Sequence, residues 1–500
     1  MLQLKNINIK LKKNGNFLFE NLNYTLQRGV KCAVIGEEGD GKSTLLKFIY
    51  DPQSVSEYCE VSGQAIKDGA SAYLPQFLDG KELNKTVMEY LDGVAVYENM
   101  RLLKNMKLSQ DIVFSEQKLN TLSGGERIKL RLFKLLCKNP DILLLDEPSN
   151  DIDYSSLIWL KDFLKNCKLS VLFVSHDRLL LEDIAENVIH VEQLIKKTRS
   201  KVTVFQGGYS EYLSYSESNL NRQTQIALKQ REEYDKRYKR WQQIYERVNH
   251  EQKSISRNDP HGGRLLKKKM KSVISQKERF EKDKENFIEI PDRENAIITF
   301  FPYDITVSNG KIVLDFKEDK LNAGEKILAE NIELKVVGNA KIAIIGENGT
   351  GKTTLLKRIW QVLKKRNDIK CSYMPQEYSE AIDFNATPLE YLSPFGENIS
   401  LIRQHLGNLN FKADEMISKT GNLSGGQQAK IIYLKMVLDK SSVLLLDEPT
   451  RNFSPMSAPV VCNALKNFGG AIISVSHDLK YVEEVCDKVY ILKDKRLTEL

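Results

Sequence analysis

The chain has 500 residues, 41% of them hydrophobic and 28% charged, with a net charge of +7. It is too long for one ordinary domain and too rich in apolar residues for a disordered chain, and none of its apolar runs approaches the ~20 residues a membrane-spanning helix needs. Seven scattered cysteines, odd in number and without a CxxC pair, argue against a disulfide framework or a zinc site and for a reducing, cytoplasmic setting.

The opening MLQLKNINIK lacks an apolar core and a cleavage site, so it predicts a first strand rather than a secretion signal. Lys31–Ile35 then reads as a buried strand feeding a G-x-x-x-x-G-K-S loop, Gly36 to Ser43, with a helix after it. In such a loop Gly36, Gly39 and Gly41 let backbone N–H groups approach phosphate, and Lys42 reaches the β- and γ-phosphates. Ser43 offers a hydroxyl to Mg²⁺, and Thr44 completes the nucleotide-binding set. Gln76, after a short strand, is placed to sense the metal and an attacking water. Ser123, Gly124 and Gly125 stand in LSGGE, and Asp146 and Glu147 end the strand run ILLLDEP. Asp146 is the second Mg²⁺-side acid, and Glu147 is placed to polarise water for in-line attack. His176, in SHD after a further strand, can contact the γ-phosphate.

The pattern changes after Phe205. From Tyr209 to Ile255 there is neither Pro nor Gly, and Leu213, Leu220, Ala227, Tyr234, Trp241, Val248 and Ile255 recur at steps of seven. This is the seam of a long helix, some 65–70 Å at 1.5 Å per residue. Asn258–Gly263 then interrupts it with a Pro and two Gly, Gly262 and Gly263 being able to take the positive φ of a tight reversal. A second helical pattern follows through Leu266, Met270, Val273 and Phe280. An antiparallel hairpin with its tip near 256–264 is the simplest structure. Between Lys236 and Ser272 there are twelve Lys/Arg against three acids, an excess greater than the net charge of the whole chain. A polyanion would therefore be met by this segment.

The second half repeats the first. Gly346, Gly349, Gly351, Lys352, Thr353 and Thr354 form its phosphate loop. Gln376, the LSGGQ run with Ser424, Gly425 and Gly426, then Asp447, Glu448 and His477 follow in the same order. The expected fold is α/β: two tandem P-loop NTPase heads, 1–208 and 293–500, joined by a basic helical linker, 209–292.

Together these motifs resemble the ATP-binding cassette superfamily, and the resemblance covers both heads. It implies an ATP hydrolase using ATP and Mg²⁺. It also implies that LSGG of one head closes over the nucleotide of the other, Ser123, Gly124 and Gly125 capping the second head's ATP and Ser424, Gly425 and Gly426 the first's. The adenine-stacking aromatic of that superfamily has only Phe17 as a counterpart. Fused heads, no membrane span and a basic hairpin resemble the ABC-F group, and Ser256–Met270 is similar to that group's linker tip. Only eighty residues separate Lys42 from Leu122, little room for the added arm of some housekeeping members. The run Thr450-Arg-Asn-Phe-Ser-Pro455, against Ser149-Asn-Asp-Ile-Asp153 in the first head, resembles the antibiotic-resistance, Vga- and Lsa-like branch.

The resemblance implies a cytoplasmic monomer with paired heads, without a membrane partner, bound to the ribosome at the tRNA exit site near large-subunit rRNA and P-site tRNA. Arg257, His261, Arg264, Lys267, Lys268, Lys269 and Lys271 would contact RNA. The implied role is protection against lincosamides, streptogramin A compounds and pleuromutilins. The alternatives are a housekeeping ABC-F factor for stalled ribosomes and, on weaker grounds, a transporter ATPase.

Overall fold

Short runs of branched and leucine side chains become strands with every residue buried: Lys31–Gly36, Ile142–Asp146 and Ser170–Val174 in the first half, Val443–Asp447 and Ala471–Val475 in the second. Strands hydrophobic on both faces suit a parallel sheet covered on both sides. The structure, a computed structural model, describes residues 1–500 except 151, 195–198, 255–259, 286, 288–304, 325, 397 and 410. It comprises two units, Met1–Ser210 with Glu294–Leu500, and Glu211–Arg293.

In the first head a six-stranded sheet runs Ser71–Leu74, Ile142–Asp146, Ser170–Val174, Lys31–Gly36, Asn187–Leu194, Arg199–Gln206. The first five strands are parallel and the last is an antiparallel edge. The second head repeats the order with Cys371–Met374, Val443–Asp447, Ala471–Val475, Lys341–Ile345, Lys488–Lys493 and Arg496–Glu499. The strand before the phosphate loop is central, so the loops leaving it and its neighbours open on one edge, where such sheets bind ligands. Antiparallel strands share the core of each head: Leu2–Leu11 between Phe17–Leu26 and Cys59–Lys67 in the first, Ile312–Ala323 with Lys326–Val337 in the second. Between Gln76 and the LSGGE run the first head has only short helices, Gly80–Leu83, Val87–Tyr90, Met100–Asn105 and Gln110–Val113. All seven cysteines are free thiols. No helix among the described residues is long and apolar enough to cross a membrane.

The second unit contains almost all of the helix Tyr209–Ser254, 46 residues long, and the helix Pro260–Glu285. Ala227, Trp241 and Val248 of the seam are buried, as is Val273 opposite them. The Trp241 indole N–H donates to the Val273 carbonyl at 2.7 Å. Tyr234, Tyr238, Trp241 and Tyr245 form a column with successive ring centroids 5.9, 5.4 and 5.3 Å apart. Glu251 pairs with Lys269 at 3.9 Å, Trp241 lies under Lys277 at 5.9 Å, and Tyr234 meets Phe287 edge-on at 5.5 Å. Partner numbers rise as the seam numbers fall, so the two helices are antiparallel.

The expected tip is described only from Pro260 onward. Residues 255–259, which include Ile255 of the seam and Arg257, lie outside the described residues. Gly262 and Gly263 do not make a reversal: they lie in the first turn of the helix that starts at Pro260. Proline is at home there, because its fixed φ is helical and the first helical N–H has no intrahelical acceptor anyway. His261 and Arg264 are exposed on that same turn.

Replacing Trp241 with Ala removes a buried aromatic and leaves the Val273 carbonyl without its donor. It should cost the hairpin about 3–5 kcal/mol. Hydrogen exchange should quicken across 227–248 and 266–280 while the heads keep their protection; unchanged exchange in the hairpin would show that this contact does not hold it.

Candidate functional site

In the first head the helix Lys42–Tyr50 begins behind Gly41, whose φ of 88° is left-handed. A Cβ on Gly41 would lie 2.9 Å from Leu18 Cδ1, so only glycine lets the loop close against the strand beneath. Lys42 is buried, and its Nζ donates to the carbonyls of Gly36 at 2.9 Å and Glu37 at 2.6 Å. Burial lowers its pKa, with Glu147 opposing. The Ser43 hydroxyl donates to Asp146 Oδ1 at 2.9 Å, and Tyr73 OH to Oδ2 at 3.1 Å. Glu147 takes φ 47°, as Glu448 takes 54°, a left-handed backbone that glutamate rarely adopts. Such a residue costs of order 1 kcal/mol and recurs here at the same place in both heads. The Glu147 Oε2 accepts from the His176 backbone N–H at 3.2 Å. Its Oε1 lies 3.2 Å from His176 Nε2 yet has no hydrogen-bond partner among the described residues. Burial raises the Glu147 carboxyl to about 7 and lowers the His176 imidazole to about 3.

The second head repeats this arrangement with differences. Gly351 has φ 103° and caps Lys352–Leu363, and Lys352 Nζ donates to Gly346 O at 2.9 Å and Glu347 O at 2.7 Å. The buried Asp447 oxygens have no hydrogen-bond partner among the described residues, and neither has Tyr373 OH, the counterpart of Tyr73. Burial raises Asp447 to about 6; the Thr353 hydroxyl beside it pulls the other way without closing a hydrogen bond. Two orphaned carboxylate oxygens beside a hydroxyl fit a hydrated Mg²⁺, a hard cation that takes oxygen ligands. Glu448 accepts from His477 N at 3.2 Å; burial raises it to about 8 and lowers His477 to about 4. Gln76 and Gln376 each stand two residues beyond their strand, the first half-buried and the second exposed. Phe17 begins its strand with Lys10 Nζ 5.7 Å over the ring.

Ser123 and Ser424 are N-caps, each accepting from the N–H three residues on in a capping box completed by Glu126 and Gln427. The amides of both glycine pairs therefore sit at helix N-termini, where anions are favoured. The Gly426 N–H reaches across to the first head, donating to Glu38 Oε2 at 3.3 Å, and Lys430 Nζ lies 3.8 Å from Glu37 Oε1. His176 Nδ1 is 3.3 Å from the Phe453 carbonyl in the second head's TRNFSP run. In the other direction, the Asp153 charge is felt by Lys352 and His477.

Several participants carry no motif. Arg178 makes a two-pronged bond to Glu484 at 2.9 and 3.1 Å, and Lys480 pairs with Glu182 at 2.9 Å, joining the helices after the two SHD runs. Asp177 and Asp478 of those runs are the N-caps of these helices. The Asp before an apolar helical run was a readable cap signal; the ion pairs had none.

With this geometry in place, comparison with known proteins is decisive. The profile described as ABC transporter matches residues 19–150 and 329–451, just over half of the chain. The chain belongs to the ABC transporter family. Its cassettes make it an ATP-hydrolysing enzyme, and cassettes of this family bind ATP with Mg²⁺. The probable ATP-binding protein YheS of Escherichia coli K12 is 26% identical over 537 residues, 98% of this chain and 78% of YheS. The ribosome protection protein VmlR of Bacillus subtilis 168 is 27% identical over 507 residues, 97% of this chain and 86% of VmlR. A crystal structure of archaeal ribosome recycling factor aABCE1 with the stalk protein aP1 matches with a TM-score of 0.62 at 17% identity, covering 97% of this chain and 87% of that one. That likeness extends the twin-cassette fold over almost the full length.

Replacing Glu147 and Glu448 together with Gln should keep ATP binding and lower turnover by at least ~10²-fold, the scale of a lost general base. Steady-state phosphate release beside equilibrium ATP binding is the measurement, and near-normal turnover would remove both residues from that role.

The same pair sets a pH dependence. Each Glu, raised from 4.5, binds a proton in the folded chain over a range where the unfolded chain has lost it, so stability falls as pH rises toward 7–8. Each His, lowered from 6.5, works oppositely below 6.5 and offsets the Glu there. The thermal midpoint of nucleotide-free protein should therefore fall between pH 6.5 and about 8, and this fall should be smaller in the double Gln variant, where Asp177, raised by burial to about 7, still titrates.

Proposed function

We propose that this chain is a cytoplasmic ABC-F ATPase whose basic hairpin engages the ribosome at the tRNA exit site, against large-subunit rRNA and P-site tRNA. It would shield the peptidyl-transferase centre from lincosamides, streptogramin A compounds and pleuromutilins. The observation that carries the reading is the arm. Every described Lys and Arg between Lys236 and Ser272 is exposed, while the apolar seam faces inward. A hairpin that keeps its cations in water on all outer faces suits a phosphate backbone. The likeness to VmlR, named for ribosome protection, supports the finer reading. A second reading, a housekeeping ABC-F translation factor for stalled ribosomes, draws on the comparable likeness to YheS, a probable ATP-binding protein whose name carries no resistance role.

In the proposed cycle Lys42 and Lys352 hold the β- and γ-phosphates, and the signature glycines of the opposite head close over each ATP. Ser43, Asp146 and Gln76, and Thr353, Asp447 and Gln376, would hold Mg²⁺, which would neutralise charge on the β- and γ-phosphates. Glu147 and Glu448 take the proton from the attacking water. Their raised pKa values near neutrality suit that transfer. His176 and His477 steady the γ-phosphate. Hydrolysis to ADP and phosphate loosens the pairing of the heads within the monomer and releases the protein.

Changing Arg264, Lys267, Lys268 and Lys271 to Ala should weaken co-sedimentation with ribosomes. It should also flatten the salt dependence by roughly one log–log unit for each phosphate the arm no longer neutralises. ATPase activity without ribosomes should persist. Unaltered binding and slope would overturn ribosome engagement by the arm. Growth of a susceptible host on a lincosamide or pleuromutilin separates the two readings: protection by the unaltered chain that disappears in the variant supports the first, and ribosome binding without protection supports the second.

A further inference from the structure

The two phosphate loops differ in charge. The first carries Glu37, Glu38 and Asp40 where the second has Glu347, Asn348 and Thr350. Asp40 is turned inward, its Oδ2 accepting from the Glu37 N–H at 2.6 Å, and Glu37 lies beside Lys430. Glu38 alone reaches the signature of the other head. Its Oε2 accepts from Gly426 N at 3.3 Å and would lie 3.4 Å from a Cβ on Gly425.

Those glycines open the helix Gly425–Leu438, whose first N–H groups have no helical acceptor. They are also the groups assigned above to close over the first head's ATP. The Glu38 charge reaches three further groups of that site: Lys42, Glu147 and His176 all feel it. A carboxylate that bonds the signature amide and acts on the phosphate lysine, the water-activating glutamate and the histidine occupies the surroundings of a terminal phosphate.

We propose that Glu38 is a built-in surrogate for the γ-phosphate at the first site, competing with ATP for the Gly426 amide. ATP must displace the carboxylate to close that site. ADP, with no γ-phosphate, leaves it in place. Glu38 therefore biases the first site toward ADP relative to the second, where Asn348 brings no charge. It also keeps the second head's signature helix capped by the first head after phosphate has left. The inference rests on the signature glycines of the second head serving the first head's nucleotide.

The test uses the full chain with Glu147→Gln and Glu448→Gln to prevent turnover, and binding of MgATP and MgADP by equilibrium dialysis. Adding Glu38→Gln should tighten ATP at one of two sites about tenfold, equivalent to ~1.4 kcal/mol, and leave ADP unchanged. Glu38→Asn, which copies the second loop, should do the same, and ADP binding reports that each variant is folded. Unchanged ATP affinity in both variants overturns the proposal. Equal tightening of ATP and ADP also overturns it, because it reveals general repulsion of phosphate rather than competition for the γ-position. A stoichiometry of one ATP per chain before any change at Glu38 would instead defeat the underlying assignment of two nucleotide sites.

Discussion

A lysine ammonium buried at the base of each phosphate loop sets the terms for what surrounds it. Removed from water, Lys42 and Lys352 are held by two backbone carbonyls each, and burial pulls their pKa values down. Cations in such a position call for anions close by. The acids at hand are themselves buried: Asp146 and Glu147 in one head, Asp447 and Glu448 in the other. Lys42 draws Glu147 toward its charged form while burial resists, and His176 is driven neutral by the same burial and the same lysine. The crevice thus concentrates ionisable groups whose preferred charge states depend on one another. A triphosphate with its metal is the kind of ligand that would satisfy them together.

The heads answer this constraint in different ways. In the first, Asp146 has two hydrogen-bond donors, Ser43 and Tyr73, and the site meets the second head through Glu38, Gly426 and the Phe453 carbonyl. In the second, Asp447 and Tyr373 keep unspent hydrogen-bonding capacity, and the facing charge is Asp153. The Thr450–Pro455 run, which lacks an acid at the place of Asp153, lends the first site a carbonyl instead. Two sites with the same catalytic residues are therefore neighbours to different chemistry. Arg178–Glu484 and Lys480–Glu182 join the heads through the helices that follow the two SHD runs.

What the sequence displayed was local. The phosphate loops, the buried strands and the seam through Ala227, Trp241 and Val248 were legible because spacing along the chain equals spacing in the element. The contacts between heads were not, since partners such as Arg178 and Glu484 stand 306 residues apart and no periodicity links them. Glu38 is legible only as an odd residue in a familiar loop; its partner, Gly426, comes from the fold. The positive φ expected of Gly262 and Gly263 failed for a different reason. Pro followed by paired glycines is a turn signal, but Pro is equally suited to the first turn of a helix. The cost of glycine in a helix, ~1 kcal/mol each, is small beside the packing of the helix that begins there. The left-handed Glu147 and Glu448 were invisible in the sequence, because nothing in the residue type announces a positive φ.

The regular seam of the arm also governs how its reach can change in evolution. Each residue added to a helix advances it about 1.5 Å and turns it about 100°. Seven added to both strands of the hairpin would extend it by about 10 Å and return the apolar stripe almost to register. Two residues, or an addition to one helix only, would rotate Trp241 and its column away from Val273. The arm should therefore lengthen or shorten in paired steps close to whole heptads, a graduated ruler rather than a continuous one. Relatives with longer or shorter arms should differ by such matched steps.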